Sequence, residues 1–129
     1  MKGETPMTGK YIFKMEDARA KETHGGAALF RILLDEKSCG AKNFSFLVNT
    51  MKAGLNCDLT GLGHKHDVEH CLYGLTGSGG ISIDGQRYEM GPNVAAYVPA
   101  GAMHYAYADP SEDFTYIVIY APPGPEKEL

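Results

Sequence analysis

From about Tyr11 onward, apolar and polar positions follow a strand-like pattern. Phe44-Ser45-Phe46-Leu47-Val48 and Phe114-Thr115-Tyr116-Ile117-Val118-Ile119-Tyr120 are rich in the β-branched and aromatic residues that suit a pleated, half-buried surface. The sharpest local signal is Ile81-Ser82-Ile83-Asp84-Gly85-Gln86-Arg87-Tyr88. Asp84-Gly85 supplies the positive φ angles that a two-residue hairpin loop demands between alternating segments. Turn-forming residues also break the chain at 35–42, 52–54, 77–80, 91–93, 99–101 and 109–111. Many short strands between such turns predict an all-β sandwich or barrel. The one helix predicted is a short segment around Glu16 to Lys21. The run Pro122-Pro123-Gly124-Pro125 cannot join a central strand and is expected to form a frayed or extended end. Gly77-Ser78-Gly79-Gly80 connects strand to strand, not strand to helix, so it reads as a plain turn and not a phosphate loop.

A chain of 129 residues with 43% hydrophobic and 22% charged content fits one globular domain. The expected domain has a core at about 28–120, an N-terminal arm at 1–27 and a C-terminal tail at 121–129. The formal charge is −4 and the basic residues are scattered, which gives no footprint for nucleic acid. No apolar run approaches the roughly 20 residues of a membrane-spanning helix, and Met1-Lys2-Gly3-Glu4-Thr5-Pro6 lacks the apolar core of a signal peptide. A cytoplasmic location is therefore expected. Cys39, Cys57 and Cys71 are odd in number and widely spaced, which reads as reduced bystander thiols, not a disulfide framework.

The candidate chemistry lies in Gly63-His64-Lys65-His66-Asp67-Val68-Glu69-His70, which holds three of the five histidines in the chain. Residues two apart on an extended strand face the same way, so His64 and His66 form a natural chelating pair with Lys65 pointing opposite. Neutral imidazole is a common ligand for divalent transition metals. Neighbours on a strand point to opposite faces, so only one of Glu69 and His70 can readily turn toward that pair.

This arrangement, followed by Tyr73-Gly74-Leu75-Thr76-Gly77, is similar to the first motif of the cupins, small double-stranded β-helix (jelly-roll) barrels. Gly91 and Pro99-Ala100-Gly101-Ala102-Met103-His104 resemble their second motif, and the likeness covers about Lys52 to Tyr120. The family's usual ligand glutamate stands seven residues before the glycine that closes its strand, and counting back from Gly77 reaches His70. The resemblance thus implies four metal ligands, His64, His66, His70 and His104, with His24 left in a surface loop. Three departures stand out. Gly54 to His64 is a long gap, with Thr60-Gly61-Leu62-Gly63 reading as an inserted loop. Ala108 occupies a position often held by asparagine, and His70 replaces the glutamate. An all-histidine set resembles a subgroup of small cupins that carry manganese, iron, nickel or zinc.

Four neutral ligands leave the double charge of a divalent ion uncompensated, which favours an anionic ligand bound through two oxygens. The resemblance implies one such ion per chain and a small oxygenated substrate. The activity it implies is a dioxygenase-type oxidoreductase, the alternatives being a non-redox lyase or isomerase, or a non-catalytic binding module. No separate nucleophile or organic cofactor site is indicated, because each well-placed histidine is already assigned to the metal. Leu72, Phe46, Val48 and Met103 are candidates for the apolar wall. Tyr97, Tyr105 and Tyr107 lie near His104 and are candidates for offering a hydroxyl to the substrate. Tyr73, Tyr116 and Tyr120 are expected to face outward, where a homodimer could cover them.

Overall fold

The computed structural model describes residues 11–56 and 63–128. Its strands are β1 (Arg19–Thr23), β2 (Ala28–Leu34), β3 (Ser45–Met51), β4 (Glu69–Thr76), β5 (Gly79–Ile83), β6 (Gln86–Met90), β7 (Ala95–Val98), β8 (His104–Ala108) and β9 (Phe114–Ala121). They form a six-stranded sheet in the order β1-β2-β3-β9-β4-β7 and a three-stranded sheet in the order β6-β5-β8. Each pairing is antiparallel. This is the all-β jelly roll anticipated from the short, turn-punctuated strands. The β5–β6 hairpin turns at Asp84-Gly85 with φ of 49° and 90°, so the positive angles fall where the sequence required them.

Register decides which residues enter the interior. On the large sheet Ile32, Leu47, Val118 and Leu72 lie side by side across β2, β3, β9 and β4, and Phe30, Asn49 and Tyr116 form the next row. The buried core joins the apolar members of these rows to Ile81, Met90 and Ala106 of the small sheet, so the apolar layer lies between the two sheets. One consequence reverses an expectation. Tyr73 is 38% exposed, but Tyr116 and Tyr120 are 2% and 6% exposed and face inward. β9 is flanked on both sides, and both its faces are apolar, so alternation alone could not tell which set of side chains points in.

Three local elements also differ from expectation. The segment expected to form a helix around Glu16 to Lys21 is a 3-10 turn, Met15–Asp17, followed by β1. The short helix α1 lies instead at Glu36–Cys39, where Asp35 and Ser38 form a reciprocal capping box. The C-terminal segment does not fray. Pro125–Glu128 makes a 3-10 turn in which Pro125 and Glu126 are buried. Glu126 Oε1 accepts hydrogen bonds from Ser45 Oγ at 2.8 Å and from Gly124 N at 3.1 Å. Cys39 and Cys71 are free thiols, whereas Cys57 and the inserted-loop positions Thr60, Gly61 and Leu62 lie outside the described residues. Among the described residues no helix is long and apolar enough to cross a membrane.

The tail anchor is testable. Glu126→Ala removes the acceptor for the buried Ser45 hydroxyl and the half-buried Gly124 N–H and should lower stability by about 1–3 kcal/mol, read from the urea unfolding midpoint. An unchanged midpoint would mean that the tail is not held by this carboxylate.

Candidate metal centre

His64 and His104 come from segments forty residues apart, yet they sit directly opposite each other in an isolated antiparallel bridge. Each peptide donates to the other: His64 N to His104 O at 2.9 Å, and His104 N to His64 O at 2.7 Å. Gly63 permits this approach. Its φ is +83°, and a Cβ there would stand 2.5 Å from His104 O. A second tie runs from Gly101 N to His66 O at 2.8 Å, so the turn that leads into β8 also fixes the backbone of His66. His70 arrives on β4, in register with Tyr120 on one side and Val98 on the other.

The rings converge. Ring centroids are 4.4 Å apart for His64 and His104, 5.2 Å for His64 and His66, and 5.1 Å for His66 and His104. The ligating nitrogens of these three all lie within 4.8 Å of one another. His70 does not join that group by the same measure, but its ring is 4.7 Å from His104 and 5.4 Å from His66. Glu69, its neighbour, is exposed and accepts a hydrogen bond from Tyr97 OH at 2.8 Å on the opposite face. The strand therefore turns His70 inward and the carboxylate out. Cys71 lies on that outer face too, as strand alternation required.

The electrostatics suit a cation. Burial, reinforced by the neighbouring His104 ring, lowers the His66 pKa to about 4. Burial and the three other rings lower that of His70 to about 3, and burial also lowers that of His104. These imidazoles are neutral near pH 7, as metal ligation requires. His104 Nδ1 donates to Ala102 O at 3.0 Å, which fixes the tautomer and leaves Nε2 with a free lone pair. His70 Nδ1 is buried and has no hydrogen-bond partner among the described residues. An orphaned ring nitrogen beside three converging imidazoles fits a ligand position better than a structural role.

A cavity of about 290 Å³ opens over the rings. Of the expected apolar wall, Leu72 lines it, but Phe46, Val48 and Met103 do not. Phe46 and Val48 fall on the outer face of β3, in the opposite parity from Leu47 and Asn49. The wall comes instead from Phe30, Ile81, Ala106 and Val118. Tyr97 is exposed, and Tyr105 and Tyr107 flank Arg87, whose guanidinium lies 4.3 Å from the Tyr107 ring centroid. None of the three lines the cavity, whereas Tyr116 and Tyr120 do. The Tyr120 ring packs 5.1 Å from His70 and 5.5 Å from His66. Asn49 and Pro125 also line the cavity, and no motif had marked either of them. Lys65 is also among the lining residues, and among the described residues no carboxylate lines the cavity. A larger cleft of about 550 Å³ lies elsewhere, beside Arg19 and α1, where the Arg19–Asp35 and Lys127–Glu36 ion pairs neutralise charge.

Residues 58–120 match the cupin domain family. The chain is also similar in fold to the polyketide cyclase RemF from Streptomyces resistomycificus, at 24% identity and a TM-score of 0.75, covering 88% of this chain and 80% of that one. A predicted oxalate decarboxylase from Thermotoga maritima is similar at 16% identity and a TM-score of 0.72, covering 87% and 99% respectively. KdgF from Halomonas sp. is similar at 16% identity and 0.72, covering 90% and 96%. No curated protein matches the sequence significantly. The domain match and the fold together support the cupin superfamily, and the histidine cluster suggests a divalent-metal site within it.

The lowered pKa values predict a pH dependence. In the unfolded chain these histidines take up protons below about pH 6.5, while in the fold His66 resists until about 4 and His70 until about 3. Between those limits the unfolded state binds more protons, so stability falls as pH falls. The urea midpoint of metal-free protein should drop steadily from pH 6.5 to about 4, and less steeply in His70→Leu. A midpoint that stays level through this window would show that the rings are solvated.

Proposed function

We propose that the protein is a metal-dependent enzyme acting on a small, oxygenated, anionic substrate, with His64, His66, His70 and His104 as the ligands of one divalent ion. The observation that carries this reading is the convergence of neutral, desolvated imidazoles in a small cavity whose described lining holds no carboxylate. A bound manganese, iron, nickel or zinc ion would supply Lewis acidity and, as iron or manganese, a redox couple. The chain supplies the rest. The Ala102 carbonyl holds the His104 proton on Nδ1. Tyr120 packs against two of the rings and keeps them oriented. Phe30, Leu72, Ile81 and Val118 present an apolar wall that excludes water from the substrate, and Lys65 at the rim attracts an anion.

In the oxidoreductase form of the proposal, the substrate binds through two oxygens and dioxygen is the oxidant, as in a dioxygenase. A non-redox lyase, isomerase or cyclase is the second reading, supported by the likeness to a protein named a polyketide cyclase. Both readings share the same ligands and differ in whether oxygen is consumed.

Replacing His64, His66, His70 or His104 singly by alanine should reduce metal content, measured by elemental analysis of protein purified without added metal, to below half of the wild-type stoichiometry, with activity falling in parallel. Retention of full stoichiometry in all four variants would defeat the assignment. Oxygen uptake with diketones, catechols and keto acids then separates the redox reading from the other.

A further inference from the structure

Asn49 stands at the centre of β3 with Phe30 and Tyr116 as its register partners. It is 1% exposed, and its side chain lines the histidine cavity. Among the described residues no group hydrogen-bonds to its Oδ1. The same face of β3 carries Leu47 and Met51 on either side, both fully buried, so the packing there suits an apolar residue. A buried amide carbonyl left without a partner is a liability to the fold. Its Oδ1 is closed to solvent as the side chain stands, and a ligand that fills the cavity meets the amide at the wall. Such a ligand must bring its own donor or leave the carbonyl desolvated.

We propose that Asn49 is a specificity-determining residue, whose Oδ1 accepts a hydrogen bond from a hydroxyl on the substrate while the oxygens at the other end are held at the histidine cluster. The inference rests on the metal-dependent reading and narrows it: the substrate is a chelating oxyanion, such as an α-keto acid or enolate, that also carries a free hydroxyl. Apart from the hydroxyls of Tyr116 and Tyr120, the other polar groups of the cavity cannot take this part in the same way: the imidazoles would face the ion, and the lysine offers only donors. A site built to pair with a hydroxyl discriminates strongly against an analogue that lacks it.

Pyruvate and 3-hydroxypyruvate differ by one hydroxyl and serve as probes. Manganese-loaded wild-type protein, titrated calorimetrically, should bind 3-hydroxypyruvate about tenfold or more tighter than pyruvate. Asn49→Leu should bind the two alike, with unchanged manganese content by elemental analysis and a metal-free Tm equal to or above that of the wild type. Asn49→Ala, which leaves space in place of the amide, should also lose the discrimination. Equal affinities in the wild type, preserved discrimination in both variants, or binding of neither acid to the metal-loaded protein would overturn the proposal. So would a large fall in Tm for Asn49→Leu, which would mark the amide as structural. Failure of the wild type to take up manganese or any other divalent ion would instead bring down the metal reading, and the inference with it.

Discussion

Two peptide hydrogen bonds exchanged between His64 and His104 hold this site together. They join a segment outside any regular strand to the first residue of β8, and the bond from Gly101 N to His66 O clamps the same two stretches a second time. Backbone bonds of this kind orient side chains without depending on them, so the two histidines meet whether or not a cation is present. His70 needs no such clamp, because β4 is paired on both sides and its inward parity is set by Tyr120 and Val98.

The price of this arrangement is borne by the rest of the fold. Gathering imidazoles out of water disfavours their charged forms, and below neutral pH the unfolded chain gains protons that the folded chain refuses. Asn49 Oδ1 adds a further buried polar atom with no hydrogen-bond partner among the described residues. The two-sheet core, with Leu47, Met51, Phe114 and Val98 fully buried, supplies the stability that tolerates both. Features that weaken a fold locally and converge on one cavity are the pattern expected of a functional site.

The cavity owes its small size to residues far apart in sequence. Tyr120 and Val118 form part of one wall, Ile81 and Ala106 of the small sheet form part of another, and Pro125 returns from the tail to line it as well. Glu126, bonded to Ser45, anchors that return. The outer face of the large sheet is different in kind. There Glu69, Cys71 and Tyr97 lie opposite in parity to the interior row, and their chemistry is separated from the cavity by the sheet itself.

The sequence by itself determined much of this protein. Period-two patterning and turn residues such as Asp84-Gly85 specify an all-β fold, because pleat and loop geometry are local. The likeness of the His64 to Gly77 and Pro99 to His104 segments to the two cupin motifs marked the histidines that the structure brings near one another. Local pattern could not show the interior identity of Tyr116, Tyr120 and Asn49, nor the outward turn of Phe46 and Val48. β3 and β9 are central strands with apolar residues on both faces, so their inward side is set only by the register they adopt against β2 and β4. The folded-back tail was equally hidden, since its anchor is a hydrogen bond between residues 81 positions apart. Tertiary structure alone decided these points, because they depend on which surface a strand meets and not on what the strand is made of.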